Sequence, residues 1–302
     1  MLTSVRGLLA ATLLAGSAMA ATPALAQEKP DPSKAIIVTG SGQEETVAPT
    51  GPGDTSHRPT GIAARDETDP PAEFTITGYA ALVSDYRFRG LSQSAGDPAI
   101  QGSININHSS GFYVGTWASS IEFKNLGPIP DSVYGNLEVD VYGGWTGTLG
   151  SAVTGDIGVT YLMYPGGKVG KANIVEPYAS LSTTLGPVAG KVGVNYAFKQ
   201  ESLNFNGGEK DDNLYVYGDL SAGIPNTPVS LAGHIGYTKG ALSPKFATGA
   251  SADYAGGFDY SIGATFNITK NLSVGGSYIA VDGNSIDGYS DDTVVGTLKL
   301  SF

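Results

Sequence analysis

From Phe74 to Phe302, apolar and polar residues alternate in short runs, and no useful stretch carries the i, i+3, i+4, i+7 stripe of an amphipathic helix. Successive side chains of a strand point to opposite sides. Each run therefore predicts a strand with one apolar and one polar face. Twelve runs follow one another, from "FTITGYAALVS" and "AIQGSININH" to "LSVGGSYIAV" and "TVVGTLKLSF". In "GFDYSIGATFNI", Phe258, Tyr260, Ile262, Ala264, Phe266 and Ile268 oppose Asp259, Ser261, Gly263, Thr265 and Asn267. In "NLEVDVYGGW" the apolar row opposes Glu138, Asp140 and Tyr142, and in "VAGKVGVNYAF" it opposes Lys191 and Asn195.

The connections alternate too. "SSG", "TLGSAV", "LGP", "IPNTP" and "TKN" are short, and longer polar stretches such as "KQESLNFNGGEKDDN" lie between them. That rhythm predicts an all-β fold over residues 73–302: a twelve-stranded antiparallel transmembrane β-barrel with short periplasmic turns and longer extracellular loops. Strands of about ten residues suit a tilted crossing of the hydrocarbon layer. A soluble sandwich has no reason to alternate its loop lengths. A propeller would show a repeated motif every 40 residues or so, and none is present.

Alternation alone does not say which face meets lipid. Ionisable side chains on the polar face favour a wet lumen, and aromatics near strand ends favour headgroup girdles. Tyr161, Tyr164, Tyr196, Phe198, Tyr237 and Tyr278 fall towards the long loops; Phe74, Phe112 and Trp145 fall towards the short turns. The many strand glycines, among them Gly78, Gly115 and Gly144, read as relief for curvature and tight packing.

The flanks narrow the setting. Arg6, the run "GLLAATLLAGSAMAA" and the small-x-small site Ala24–Ala26 predict a signal peptide over 1–26, with cleavage after Ala20 or a retained anchor helix as the other readings. Residues 27–72 are rich in Pro, Gly, Thr and acids and read as a disordered periplasmic tether. Within it "AIIVTG", residues 35–40, resembles a TonB box, a segment that would add a strand to TonB. A chance strand-prone linker is the alternative. The chain ends on Phe302, with Leu300, Leu298 and Val294 on the same face. This resembles the terminal strand read by the barrel assembly machinery. Export, barrel and terminal aromatic together predict the outer membrane of a Gram-negative bacterium.

Composition removes several function classes. A net charge of −11 leaves no basic stripe for nucleic acid. Absence of Cys removes disulfides, thiolate metal sites and thiol nucleophiles. His57, His108 and His234 are the whole histidine set, and no GxSxG signature accompanies them. The acids Glu209, Asp211, Asp212, Asp287, Asp291 and Asp292 complete no EF-hand. No catalytic residue, metal site or cofactor is therefore expected.

"SDYRFRGLSQ" (Ser84–Gln93), "PAIQGSININHSSGFYVGTWASSIEF" and "LEVDVYGGW" together resemble the TorF family of porin-like outer-membrane barrels. The clearest match is Ser84 to Trp145, with weaker likeness across 73–302. The resemblance implies diffusion or uptake of small solutes and carries no catalytic or substrate residues with it.

Twelve strands leave a narrow lumen. By parity it would be lined by Glu138, Asp140, Asp156, Glu176, Lys191, Asp219, His234, Asp259 and Lys299. The expected function is passive diffusion of small hydrophilic solutes with a weak preference for cations, since charge rings set selectivity. The alternative is a plugged structural or adhesion barrel with functional outer loops. Asp85, Arg87 and Arg89 are expected at the pore mouth, with Tyr86 and Phe88 on the lipid side. There the two arginines could meet an anionic solute, pair with neighbouring acids, or contact lipopolysaccharide phosphates.

Overall fold

The computed structural model describes residues 73–123, 134–150, 152–168, 172–204, 210–251 and 255–302. The segments read as signal peptide (1–26), tether (27–72) and TonB-box-like stretch (35–40), with His57 and Glu209, lie outside the described residues.

In chain order the strands are β1 (Phe74–Val83), β2 (Arg87–Phe88), β3 (Leu91–Ser92), β4 (Ala99–His108), β5 (Phe112–Ser120), β6 (Leu137–Leu149) and β7 (Val153–Met163), then β8 (Ile174–Leu185), β9 (Val188–Gln200), β10 (Asp211–Gly223), β11 (Val229–Gly240), β12 (Gly257–Asn267), β13 (Leu272–Val281) and β14 (Thr293–Ser301). β1 and β4 to β14 form a closed antiparallel barrel of twelve strands. β1 pairs with β4 on one side and β14 on the other, so no wall strand keeps a free edge. Closure satisfies the wall's backbone internally, as hydrocarbon requires.

Parity sets the exterior. Ile100, Phe112, Ile157, Leu185, Leu220, Ile262 and Val294 point outward, each more than half exposed. An apolar surface this continuous would be a liability in water. It is the lipid-facing band of a transmembrane barrel. β6, β9 and β10 run to 13 residues each. They exceed the run length read from sequence and carry the wall past the ~11 residues a crossing needs.

At the seam, Phe302 exchanges two backbone hydrogen bonds of 3.0 Å with Gly78. Its ring covers Gly78 on the outside, where a Cβ would lie 2.8 Å from it.

Inside, tyrosines lie flat against glycines. Tyr142 is the register partner of Gly115, Tyr113 of Gly144, Tyr178 of Gly158, and Tyr217 of Gly193. At each glycine the nearest side chain is that tyrosine's ring or hydroxyl, or comes within 0.1 Å of being so. A missing Cβ lets a large ring hug the wall instead of filling the lumen. Gly193→Ala would place a methyl 2.4 Å from the Tyr217 ring. We expect this variant to lose roughly 1–3 kcal/mol from overpacking, measured as a lower unfolding midpoint of the heat-modifiable band in detergent.

The interior is graded along its axis. Towards the short turns, Asn107, Thr146, Thr154, Ser182, Thr265 and Ser273 keep partial exposure. Towards the long loops, Glu138, Asp140, Thr160, Glu176, Asn213 and Thr238 are at most 1% exposed. The cause is a cap. Ile121, Phe123, Tyr134, Tyr164, Leu203, Leu242, Phe246 and Tyr289, from the long connections and strand ends, pack into one apolar cluster over that end. Tyr164 thus turns inward and does not join the outer aromatic row expected from sequence. Burial, then the charges of Glu138 and Asp140, hold its hydroxyl protonated well above the ordinary phenol range.

Candidate functional site

The lumen is shaped by the connection between β1 and β4. Ser84 is still tied to the wall, exchanging hydrogen bonds with Gly296. Beyond it the chain leaves the sheet and folds inside the barrel. Arg89 (φ +47°) and Gly90 (φ +82°) reverse direction, so that Arg87–Phe88 pairs with Leu91–Ser92 as a miniature hairpin. A Cβ on Gly90 would lie 2.7 Å from Val281 of the wall. Glycine is required there both for its dihedral and for the close approach.

This corrects the expectation that Tyr86 and Phe88 face lipid and that Asp85, Arg87 and Arg89 sit at the rim. Tyr86 and Phe88 are buried in the interior, at 2% and 3% exposure. Asp85, Arg87 and Arg89 are buried beside them. The physical reason is pairing with groups far away in sequence. Arg87 binds the Asp85 carboxylate, donates to the Asp291 carboxylate at 3.1 Å and caps the Asp291 carbonyl at 2.8 Å. Asp85 also accepts from Ser92 (2.6 Å) and Ser94 (3.0 Å), which knits the segment to itself. Arg89 Nη2 donates to both oxygens of Glu176 on β8, each at 2.9 Å. Its guanidinium lies between the rings of Phe88 (4.6 Å) and Tyr215 (4.2 Å). Charge-assisted bonds and cation–π contacts are stronger away from water, so a segment rich in Asp and Arg can settle inside.

The other residues expected in the lumen lie on inward positions at three levels. Near the cap, Glu138 accepts from the Tyr86 hydroxyl at 3.2 Å and Asp140 is buried on the same strand face. In the middle, His234 bridges Asp219 (2.6 Å) and Asp259 (3.0 Å), and the Tyr215 hydroxyl lies 2.8 Å from its Nε2. Asp156 accepts from Tyr113 at 2.6 Å, and Lys191 lies over the Tyr217 ring at 5.7 Å. Towards the short turns, Lys299 lies 4.5 Å above the Tyr79 ring, whose hydroxyl accepts from Trp117 at 2.7 Å.

Between the hairpin and the tyrosine-lined wall lies a cavity of about 110 Å³. Arg87, Phe88, Arg89 and Gly90 bound it from the hairpin; Asp156, Lys191, Tyr215, Tyr217, Asp219, His234 and Asp259 bound it from the wall. The volume holds several waters or one small organic molecule. Among the described residues, no group of three or more His, Asp or Glu side chains is arranged to hold a metal ion. Of the loop acids, Asp212 accepts from Tyr196, Asp292 from Tyr278 and Asp291 from Arg87.

Of the inward tyrosines that face a glycine, Tyr142 fell on the polar row in the sequence, while Tyr113, Tyr178 and Tyr217 were not among the residues singled out. Their signal was a tyrosine on the polar parity with a glycine opposite, visible only once register is known.

Residues 67–302 match the family described as "Bacterial protein of unknown function (Gcw_chp)". The chain belongs to the Gcw_chp family. The match takes in the whole barrel, including the inward segment that a Gcw_chp member with this sequence folds into its lumen. Comparison with curated protein sequences gives no match. Among solved structures, the chain is similar to the NanC porin, with 11% identity, 76% of this chain and 99% of that one covered, and a TM-score of 0.49. It is similar to the KdgM porin at 9% identity, 76% and 98% coverage and a TM-score of 0.46. It is similar to the COG4313 outer membrane channel from Pseudomonas putida F1 at 12% identity, 78% and 99% coverage and a TM-score of 0.47.

Proposed function

We propose that this Gcw_chp protein is an outer-membrane channel for passive diffusion of small hydrophilic solutes, with residues 84–98 as its constriction. The carrying observation is the graded interior. Polar inward side chains keep partial exposure towards the short-turn end, taken as periplasmic, and a charged cavity lies under the hairpin. A barrel built only as a wall or an adhesin has no need of buried charges at a narrowing, and such groups are costly to place. The likeness of Ser84–Trp145 to the TorF family points the same way.

The same reading extends to partners. The apolar exterior meets outer-membrane lipid and the outer loops meet lipopolysaccharide. Phe302, at the β1–β14 seam, serves the barrel assembly machinery as the terminal signal. A TonB contact through residues 35–40 is not needed for diffusion.

A weak cation preference follows from lumen charge. Asp85, Glu138, Asp140, Asp156, Glu176, Asp219 and Asp259 outnumber Arg87, Arg89, Lys191, Lys299 and His234. Recording from purified protein in planar bilayers tests both statements. Discrete current steps are expected, with a reversal potential in a KCl gradient displaced towards that of potassium. Displacement towards chloride would remove the preference, and silence would remove the channel.

A further inference from the structure

We propose that the cavity beneath the hairpin is a binding site for a small zwitterion, an α-amino acid, held by Arg89 at its carboxylate and by Asp259 at its ammonium group. The proposal deepens the channel reading by naming a solute class for the constriction.

It rests on two unsatisfied groups in one cavity. Arg89 uses Nη2 for both Glu176 oxygens, while Nη1 is buried without a hydrogen-bond partner. Asp259 uses Oδ2 for His234 and Tyr215, while Oδ1 is buried without one. The two side chains are 4% and 5% exposed, and both line the cavity. Buried polar groups are nearly always paired, so two orphans on side chains that line one cavity call for an occupant. One is a cationic donor and the other an anionic acceptor, and a molecule with a carboxylate and an ammonium group satisfies both.

Tyr215 links the two. Its ring carries the Arg89 guanidinium at 4.2 Å, and its hydroxyl lies 3.2 Å from the Asp259 carboxylate. One phenol thus touches both side chains. A carboxylate and an ammonium group on one carbon, with a hydrogen bond of about 2.9 Å at each end, suit two charged groups held against the same ring. Lys191, which makes no carboxylate ion pair among the described residues, adds positive charge to the same space. A volume of about 110 Å³ limits the ligand to a small one.

Three molecules of one shape separate the elements. L-Alanine carries both charges, L-lactate replaces the ammonium group by hydroxyl, and isopropylamine lacks the carboxylate. Calorimetric titration into folded, detergent-solubilised full-length protein is expected to show L-alanine binding about tenfold or more tighter than either, the usual size of one charge-assisted hydrogen bond. Arg89→Lys keeps a cation for Glu176 but removes Nη1, and is expected to weaken L-alanine about tenfold. Asp259→Asn keeps the size of the side chain, and is expected to abolish the preference for L-alanine over L-lactate. A heat-modifiable band establishes that each variant is folded. Equal binding of L-alanine and L-lactate by wild type, or L-alanine binding unchanged in Arg89→Lys, would overturn the site. Binding is read without current, so a silent barrel that still binds L-alanine counts against the channel alone, and a conducting barrel that binds none of the three counts against the site alone.

Discussion

Replacing Ser84–Pro98 by a two-residue Asn-Gly turn is expected to raise single-channel conductance several-fold. Val83 and Ala99 are register partners at the ends of β1 and β4. A two-residue hairpin turn can therefore join them without disturbing either strand. The exchange removes Tyr86, Arg87, Phe88, Arg89 and Leu91 from the interior, all at most 9% exposed. It leaves the β1–β4 ladder and the β1–β14 ladder up to Val83 intact, and of the wall contacts it removes the Ser84–Gly296 hydrogen bonds. Glu176 and Asp291 lose their arginine partners but gain water, which keeps the cost of the change small. Current steps in planar bilayers are the readout, and heat-modifiability of the purified band shows whether the wall has formed. Unchanged conductance in a folded variant would mean that the segment is not the constriction.

The second large effect is on stability. Glu176→Leu leaves Arg89 buried with no carboxylate, and is expected to cost about 3–5 kcal/mol, the usual penalty for breaking a buried pair from one side. The Asn195 amide, which donates to Glu176 at 3.0 Å, loses its partner as well. The double change Arg89→Met with Glu176→Leu replaces both charges by apolar groups and is expected to recover most of that loss. Urea unfolding of the two variants in detergent, followed by tryptophan fluorescence, measures the difference. A double variant as unstable as Glu176→Leu would show that the ion pair is not what seats the hairpin.

The wall was legible from sequence because its information is local. Strand polarity has a period of two, and the apolar rows of β6, β9 and β12 can be read from a dozen residues each. The alternation of loop lengths then implied closure. The inward segment was not legible for a related reason. "DYRFR" keeps the same period as β1, so parity continues through it as though the strand did. Nothing local distinguishes a ring that meets lipid from one that meets the inside of a barrel. What turns the chain inward is pairing across 204 residues, Arg87 with Asp291, and across 87 residues, Arg89 with Glu176. The nearest local hint was the run of turn-forming residues from Gly90 to Pro98, long for a link between adjacent strands. The tyrosine–glycine pairs were hidden in the same way, because Tyr178 and Gly158 become neighbours only through the β7–β8 register.

The proposed channel conducts through a lumen that residues 84–98 narrow without sealing. Single-channel recording of the purified wild-type protein tests this most directly, beside the hairpin-excised variant in the same lipid. Small discrete steps are expected from wild type and larger ones from the variant. A wild type that stays silent while the excised variant conducts would contradict this, and would make the hairpin a plug.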